Sequence, residues 1–281
     1  MTSLWVGAVP RGLEEVLARA AGAGGDAAGA GGDAAGAGGD AAGGNRDAGG
    51  AGGGSAAGCL APDVQAWLAS PAQGLSAKIE SAAGAEAATM ALGRLAPSDL
   101  EVVATVDSDG SCWAELTRRR DGEAETCVLG MTYGPDGHVS RLVWLRVPLV
   151  PARALDPSEE GPEARPILEG YFADLMASRF REAAAHFSVD SLYSHPPYAG
   201  GTERVLYEGR EALWRGFETE RGPSPVEQII TGLWQRRDRV FVEGVIEGIP
   251  NGGTFFATAQ IGAGGEIARY VAFYSATRIP A

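Results

Sequence analysis

An internal repeat constrains this chain more than any other feature. Two β-rich regions superpose without a gap at an offset of 128 residues: Pro97 meets Pro225, Glu115 meets Glu243, Gly134 meets Gly262, Gly137 meets Gly265, Arg141 meets Arg269 and Val143 meets Val271. Trp113 against Phe241 and Val139 against Ile267 keep residue type. Turns and strand lengths coincide as well, so the chain reads as a tandem of one fold. A small slip brings GAEAATMAL (Gly84 to Leu92) onto GREALWRGF (Gly209 to Phe217), and Ser70-Pro71 onto His195-Pro196.

Each copy reads as helix followed by antiparallel meander. In the first, LEVVATV, CWAEL, ETCVLGMTY and VSRLVWLRV are β-rich runs, with turn signals DSDGS (Asp107 to Ser111) and GPDG (Gly134 to Gly137) between them. In the second, EQIITGLWQ, RVFVEGVIEG, TFFATAQI and EIARYVAFYS are separated by RRD, PNGG and GAGG. Ahead of them stand ILEGYFADLM, whose Ile167, Leu168, Tyr171, Phe172 and Leu175 form a helical stripe, and REAAAHF, for which Ser178 is a candidate cap.

The glycine excess sits before residue 60. Residues 8 to 20 read as a short helix of the first copy, and residues 21–57 as a disordered Gly/Ala/Asp-rich segment. Its repeat is marked by Asp26, Asp33, Asp40 and Asp47. Glycine at that density costs too much backbone entropy for a regular element. No GK[ST] follows, against a phosphate loop, and one aspartate per repeat does not match a calcium loop. The expected domains are 58–150 and 165–281, joined by a Pro- and charge-rich linker at 151–164.

Formal net charge is −13, which disfavours nucleic-acid and anionic-membrane partners. No apolar run reaches the length of a membrane helix, and the N-terminal stretch lacks a secretory pattern. Cys59, Cys112 and Cys127 are widely spaced, with no CxxC or CxxH pair, so neither zinc nor a disulfide framework is indicated. The expectation is a cytoplasmic protein with no metal and no cofactor.

One motif carries chemistry. LYSHPPY (Leu192 to Tyr198) closes a strand-like run and holds His195, one of three histidines. A histidine with its ordinary pKa near ~6.5 is a competent general base at neutral pH. Tyr193 and Tyr198 of the same motif, with Trp214, Trp234, Glu243 and Arg269, are the candidate ligand-binding residues. Packing roles compete with that assignment for Trp214 and Trp234, and a structural pair or exposed strand positions for Glu243 and Arg269, which recur in both copies. Strand alternation puts Phe241, Glu243 and Val245 on one face and Val240, Val242 and Ile246 on the other, without deciding which face points inward.

Helices followed by a long curved antiparallel sheet, with a strand ending in Pro before a G-R-E helix, resemble the NTF2-like superfamily, which includes SnoaL-like polyketide cyclases and ketosteroid isomerases. The resemblance covers residues 165 to 276 well and 60 to 147 weakly. It implies an α+β fold: tandem cones, each with helices packed in a curved sheet and a pocket at the open end. It also implies pairing through the sheets, either between the two copies or in a homodimer. Carried over from the ketosteroid isomerases, Tyr171 takes the place of the oxyanion-donating tyrosine and His195 that of the aspartate base before the strand-ending proline. Ala257 stands where a second acidic donor would be. The implied catalytic pair is therefore His195 and Tyr171. The implied function is cofactor-independent isomerisation, cyclisation or hydration of a small apolar substrate. The alternative is non-catalytic binding of a small hydrophobic ligand, or a purely structural domain.

Overall fold

The computed structural model describes residues 59–69, 79–95, 100–108, 110–120, 123–153, 161–198, 203–248, 250, 252–275 and 278–280. The helix expected at 8 to 20, the Gly/Ala/Asp tract and Ser70-Pro71 lie outside them. The first copy contains β1 (Leu60–Ala69), β2 (Ile79–Ala83), α1 (Ala85–Leu95), β3 (Leu100–Ser108), β4 (Ser111–Arg120), β5 (Glu123–Tyr133) and β6 (Val139–Pro148). The second contains α2 (Ala164–Met176), α3 (Phe180–Ala185), β7 (Phe187–His195), β8 (Val205–Glu208), α4 (Arg210–Gly216) with a π turn at Phe217–Arg221, β9 (Glu227–Arg236), β10 (Arg239–Glu247), β11 (Gly253–Ile261) and β12 (Ile267–Ser275).

The two sheets have the same order, β2-β1-β6-β5-β4-β3 and β8-β7-β12-β11-β10-β9. Each is antiparallel except for one parallel pair, β1 with β6 and β7 with β12. The meanders match the sequence reading. Strands β1 and β2 were not legible in it, because LAPDVQAWLA and IESAA lack a clean alternation. REAAAHF also divides: the helix ends at Ala185, and Phe187 already belongs to β7. Ser178 makes no cap. The N-cap is Arg179, without a side-chain cap bond, and Ser178 itself sits at φ 57°.

The repeat is visible in backbone detail. Gly134 N–H donates to His138 O and Gly262 N–H to Glu266 O, both at 2.8 Å. The turn glycines Gly137 and Gly265 hold φ of 79° and 85°, a region that disfavours side chains. A bulge falls between Val102 and Ala104 in β3 and opposite Glu243/Gly244 in β9–β10, so both sheets bend at matching places. Register corrects one correspondence. Leu68 pairs with Trp144 in β1–β6, while Tyr193 pairs with Tyr270 and Ser194 with Val271 in β7–β12. His195, one residue beyond Ser194, is therefore matched by Leu68 rather than Ser70. Strands β1 and β7 lie one residue out of step with the rest of the repeat, less than the slip that matching Ser70 to His195 requires.

Three apolar clusters form. One lies inside each copy, and the third joins them. In the second copy Leu168, Tyr171, Phe172 and Leu175 of α2 are buried against β10, β11 and β12. The joining cluster is built from counterparts: Val106 and Trp234, Trp113 and Phe241, Val128 and Phe256, Val143 and Val271, Leu145 and Phe273. Trp113 packs on Trp234 at 4.9 Å and on Phe256 at 5.8 Å. The sheets thus meet face to face in an internal near-two-fold arrangement, where each copy presents the same patch to the other.

Candidate functional site

At one end of the second copy a cavity of about 460 Å³ opens between the ends of β7, β10 and β12, the start of β9 and the loop after the π turn. Its wall includes Leu175, Pro225, Val226 and Ile246, with polar groups from His195, Tyr198, Arg221, Gln228, Tyr274 and Ser275. A mostly apolar concavity with a few convergent polar groups is what small-molecule sites look like.

His195 ends β7 and is 7% exposed. Its Nδ1 lies 2.6 Å from Pro196 O. A carbonyl only accepts, so Nδ1 carries the proton and the lone pair resides on Nε2. The ring lies against Tyr198 at 4.8 Å and meets Tyr274 edge-on at 4.7 Å, with Tyr193 parallel at 5.9 Å. Burial lowers the pKa of His195 to about 3; the bond to Pro196 O opposes this, and Arg204 and Arg221 add to it. The imidazole is neutral at physiological pH.

Gln228 donates from Nε2 to the Tyr274 hydroxyl, which leaves that hydroxyl's own proton free to point elsewhere. Burial raises the Tyr274 pKa far above the usual phenol range. Arg221 closes the π turn. Its Nη1 donates to Gly222 O at 3.0 Å, and its guanidinium lies 6.0 Å from the Phe180 ring centroid. Arg204 lies outside the cavity wall, its guanidinium 5.8 Å from the Phe273 ring, donating from Nε to Ser194 Oγ at 2.7 Å and from Nη2 to the Ala272 carbonyl. Burial depresses its pKa to about 9.

The sequence-derived candidates separate. His195 and Tyr198 line the cavity. Tyr171 does not: it is 1% exposed in the aromatic core, its hydroxyl 3.3 Å from that of Tyr193. Desolvation raises its pKa well above the ordinary value. Tyr193 is also buried in the core, stacked on Tyr270 at 5.5 Å. These rings, with Phe172, Phe187 and Phe217, fill the interior behind His195. Trp214 packs at the edge of the same core beneath Arg181, which lies 5.0 Å from its ring.

Trp234, Glu243 and Arg269 face the other copy instead of the cavity. Trp234 packs on Trp113. Arg269 donates from Nη1 to Glu115 Oε2 at 3.1 Å, with Nη2 2.8 Å from Oε1. Arg141 makes the matching two-pronged contact with Glu243. The face that alternation grouped as Phe241 and Glu243 is thus the joining face, and Val240, Val242 and Ile246 belong to the interior cluster.

Sequence reasoning missed Arg221, Gln228 and Tyr274. A signal existed for Tyr274, since it shares strand parity with the inward-facing Tyr270 and Ala272. Arg221 and Gln228 carry no such mark. In the first copy, β6 places Trp144 where β12 has Ala272, and Leu68 where β7 has His195; both are fully buried. Among the described residues, no group of three or more His, Cys, Asp and Glu could hold a metal ion, and no helix is long and apolar enough to cross a membrane.

No protein-family model matches the sequence, and no curated protein matches it. Solved structures do. An NTF2-like protein of unknown function from Cytophaga hutchinsonii is 12% identical, with a TM-score of 0.31, over 42% of this chain and 95% of that one. A hypothetical protein with a ketosteroid isomerase-like fold from Catenulispora acidiphila, in complex with trimethylamine, is 21% identical, with a TM-score of 0.33, over 41% of this chain and 88% of that one. The epoxide hydrolase/cyclase-like enzyme SalBIII of salinomycin pyran-ring formation is 17% identical, with a TM-score of 0.33, over 40% of this chain and 91% of that one. The likeness is one of fold. Two mixed six-stranded sheets of identical order, each with helical structure, make this chain a tandem of one α+β fold, consistent with two NTF2-like domains.

Proposed function

We propose that the second copy binds a small, largely apolar molecule at His195. The observation that carries this reading is a neutral imidazole, fixed through Nδ1 by Pro196 O, in the wall of an apolar cavity. Nε2 accepts a hydrogen bond from a ligand hydroxyl, and the Tyr274 hydroxyl donates one, while Leu175, Val226 and Ile246 hold the hydrocarbon part. The first copy serves as the partner that covers the back of this sheet.

A catalytic reading ranks second: isomerisation, cyclisation or hydration with His195 as general base. The Nε2 lone pair favours it. Two features weigh against it. An imidazole with a pKa of about 3 holds an abstracted proton weakly, and Tyr171 lies behind the aromatic core rather than at the cavity wall.

Native mass spectrometry of the purified chain, followed by extraction, tests the first reading; a stoichiometric small molecule supports it. His195→Ala then separates the two. Weakened binding without any turnover in the wild type fits a binding domain. Turnover that His195→Ala abolishes while binding persists fits the enzyme.

A further inference from the structure

Resting on the reading that this cavity takes a small molecule, we propose that its ligand is an organic acid, held by its carboxylate on Arg221 with its hydrocarbon body inside the pocket. Arginines elsewhere in this fold face carboxylates when buried: Arg141 has Glu243, Arg269 has Glu115 and Arg118 has Glu125. The cavity end of the second copy offers no such pair. Arg221 lines the cavity and spends one donor on Gly222 O, with no carboxylate partner among the described residues. Arg204, half-buried over the Phe273 ring at 5.8 Å, lies outside the cavity wall, and its donors go to the Ser194 hydroxyl and to main-chain carbonyls. No aspartate or glutamate belongs to the cavity wall.

One guanidinium, that of Arg221, thus stands in the wall of a small apolar cavity with no counter-ion there, in a chain whose formal net charge is −13. A guanidinium in such surroundings is only partly compensated by carbonyls, and a carboxylate that enters gains a charge-assisted, two-pronged contact. His195 does not compete, because it stays neutral and has no proton on Nε2 to offer. Gln228 and Tyr274 stand at the same wall to receive a second polar group. The π turn that carries Arg221 is a local departure from α geometry, a kind often found at functional sites.

The test is calorimetric titration of the full chain with 4-phenylbutyrate and its neutral isostere 4-phenylbutanamide, at low and moderate salt, in wild type and Arg221→Gln. The expected result is roughly tenfold or greater preference for the carboxylate, reduced by added salt. In Arg221→Gln that preference disappears while amide binding is retained. Equal or tighter binding of the amide by the wild type overturns the acid assignment and leaves the pocket reading standing. Binding of neither probe, with no co-purified molecule, overturns both. A preference that survives in Arg221→Gln overturns the role of Arg221. A thermal melt of the variant matching wild type shows that these outcomes report on the cavity rather than on folding.

Discussion

Arg269 reaches across the sheet interface to Glu115, and Arg141, its counterpart 128 residues earlier, reaches back to Glu243, the counterpart of Glu115. The reciprocity extends to the main chain. Arg269 Nη2 donates to Val150 O at 2.7 Å, and Arg141 Nε donates to Pro280 O at 2.8 Å, so the segment after each final strand receives the other copy's arginine. Thr126 and Thr254 anchor those segments through bonds from Val150 N–H and Ile279 N–H. Such symmetry within one chain is the signature of a fused two-fold interface.

Removing one partner leaves a buried charge uncompensated. Glu115→Ala strands Arg269, which is 0% exposed, and is expected to lower stability by about 3–5 kcal/mol. The double change Glu115→Leu with Arg269→Met is expected to recover most of that loss. Urea midpoints of the three proteins check it. A double variant no more stable than Glu115→Ala would count against the pairing.

The second copy made alone, residues 161–281, bares Trp234, Phe241, Phe256, Val271 and Phe273. Its own Glu243 and Arg269 complement a second molecule of the same piece. The expectation is a homodimer, with twice the monomer mass by light scattering. A stable monomer would show that the patch is not self-complementary.

Trp113 anchors the interface on Trp234, Phe241 and Phe256, and its ring rests on Gly130, where a Cβ would come within 2.5 Å. Trp113→Ala is expected to cost about 3–5 kcal/mol. Gly130→Ala, which pushes against the ring, is expected to cost about 1–3 kcal/mol. Thermal unfolding followed by tryptophan fluorescence measures both.

His195 links stability to pH. Its folded pKa of about 3 lies below the ordinary 6.5, so the unfolded chain binds the proton more readily. Stability from this group is full above pH 6.5 and falls as pH drops from there toward 3. Between pH 7 and pH 5 the loss is about 2 kcal/mol. His195→Gln is expected to remove that slope, and urea midpoints at the two pH values measure it. An unchanged slope would assign the effect to other groups.

Tyr171→Phe removes only the 3.3 Å contact with the Tyr193 hydroxyl. The expected change is about 1 kcal/mol or less in stability, with ligand affinity at the cavity unaltered. A large loss of affinity would return Tyr171 to the binding site.

The tandem, the two meanders and the turns between them are legible in the residues alone. Strand period, turn chemistry and the 128-residue offset are local and repetitive, and local preferences agree with the final fold. The same offset pairs Glu115 with Glu243 and Arg141 with Arg269 as equivalent positions. Which sheet face meets the other copy emerges only from the packed fold. Strands β11 and β12 are buried on both faces, so their alternation offers no polar side to read, and Arg269 on the joining face looks in sequence like Tyr274 at the cavity. The cavity wall draws on Arg221, Gln228, Ile246 and Tyr274 from three strands and a π turn, a convergence that no spacing along the chain encodes. His195 in LYSHPPY was conspicuous from its neighbours alone. Its neutral state, its fixed tautomer and the uncompensated Arg221 in the same cavity wall come from burial and register, which exist only once the sheet has closed around the helices.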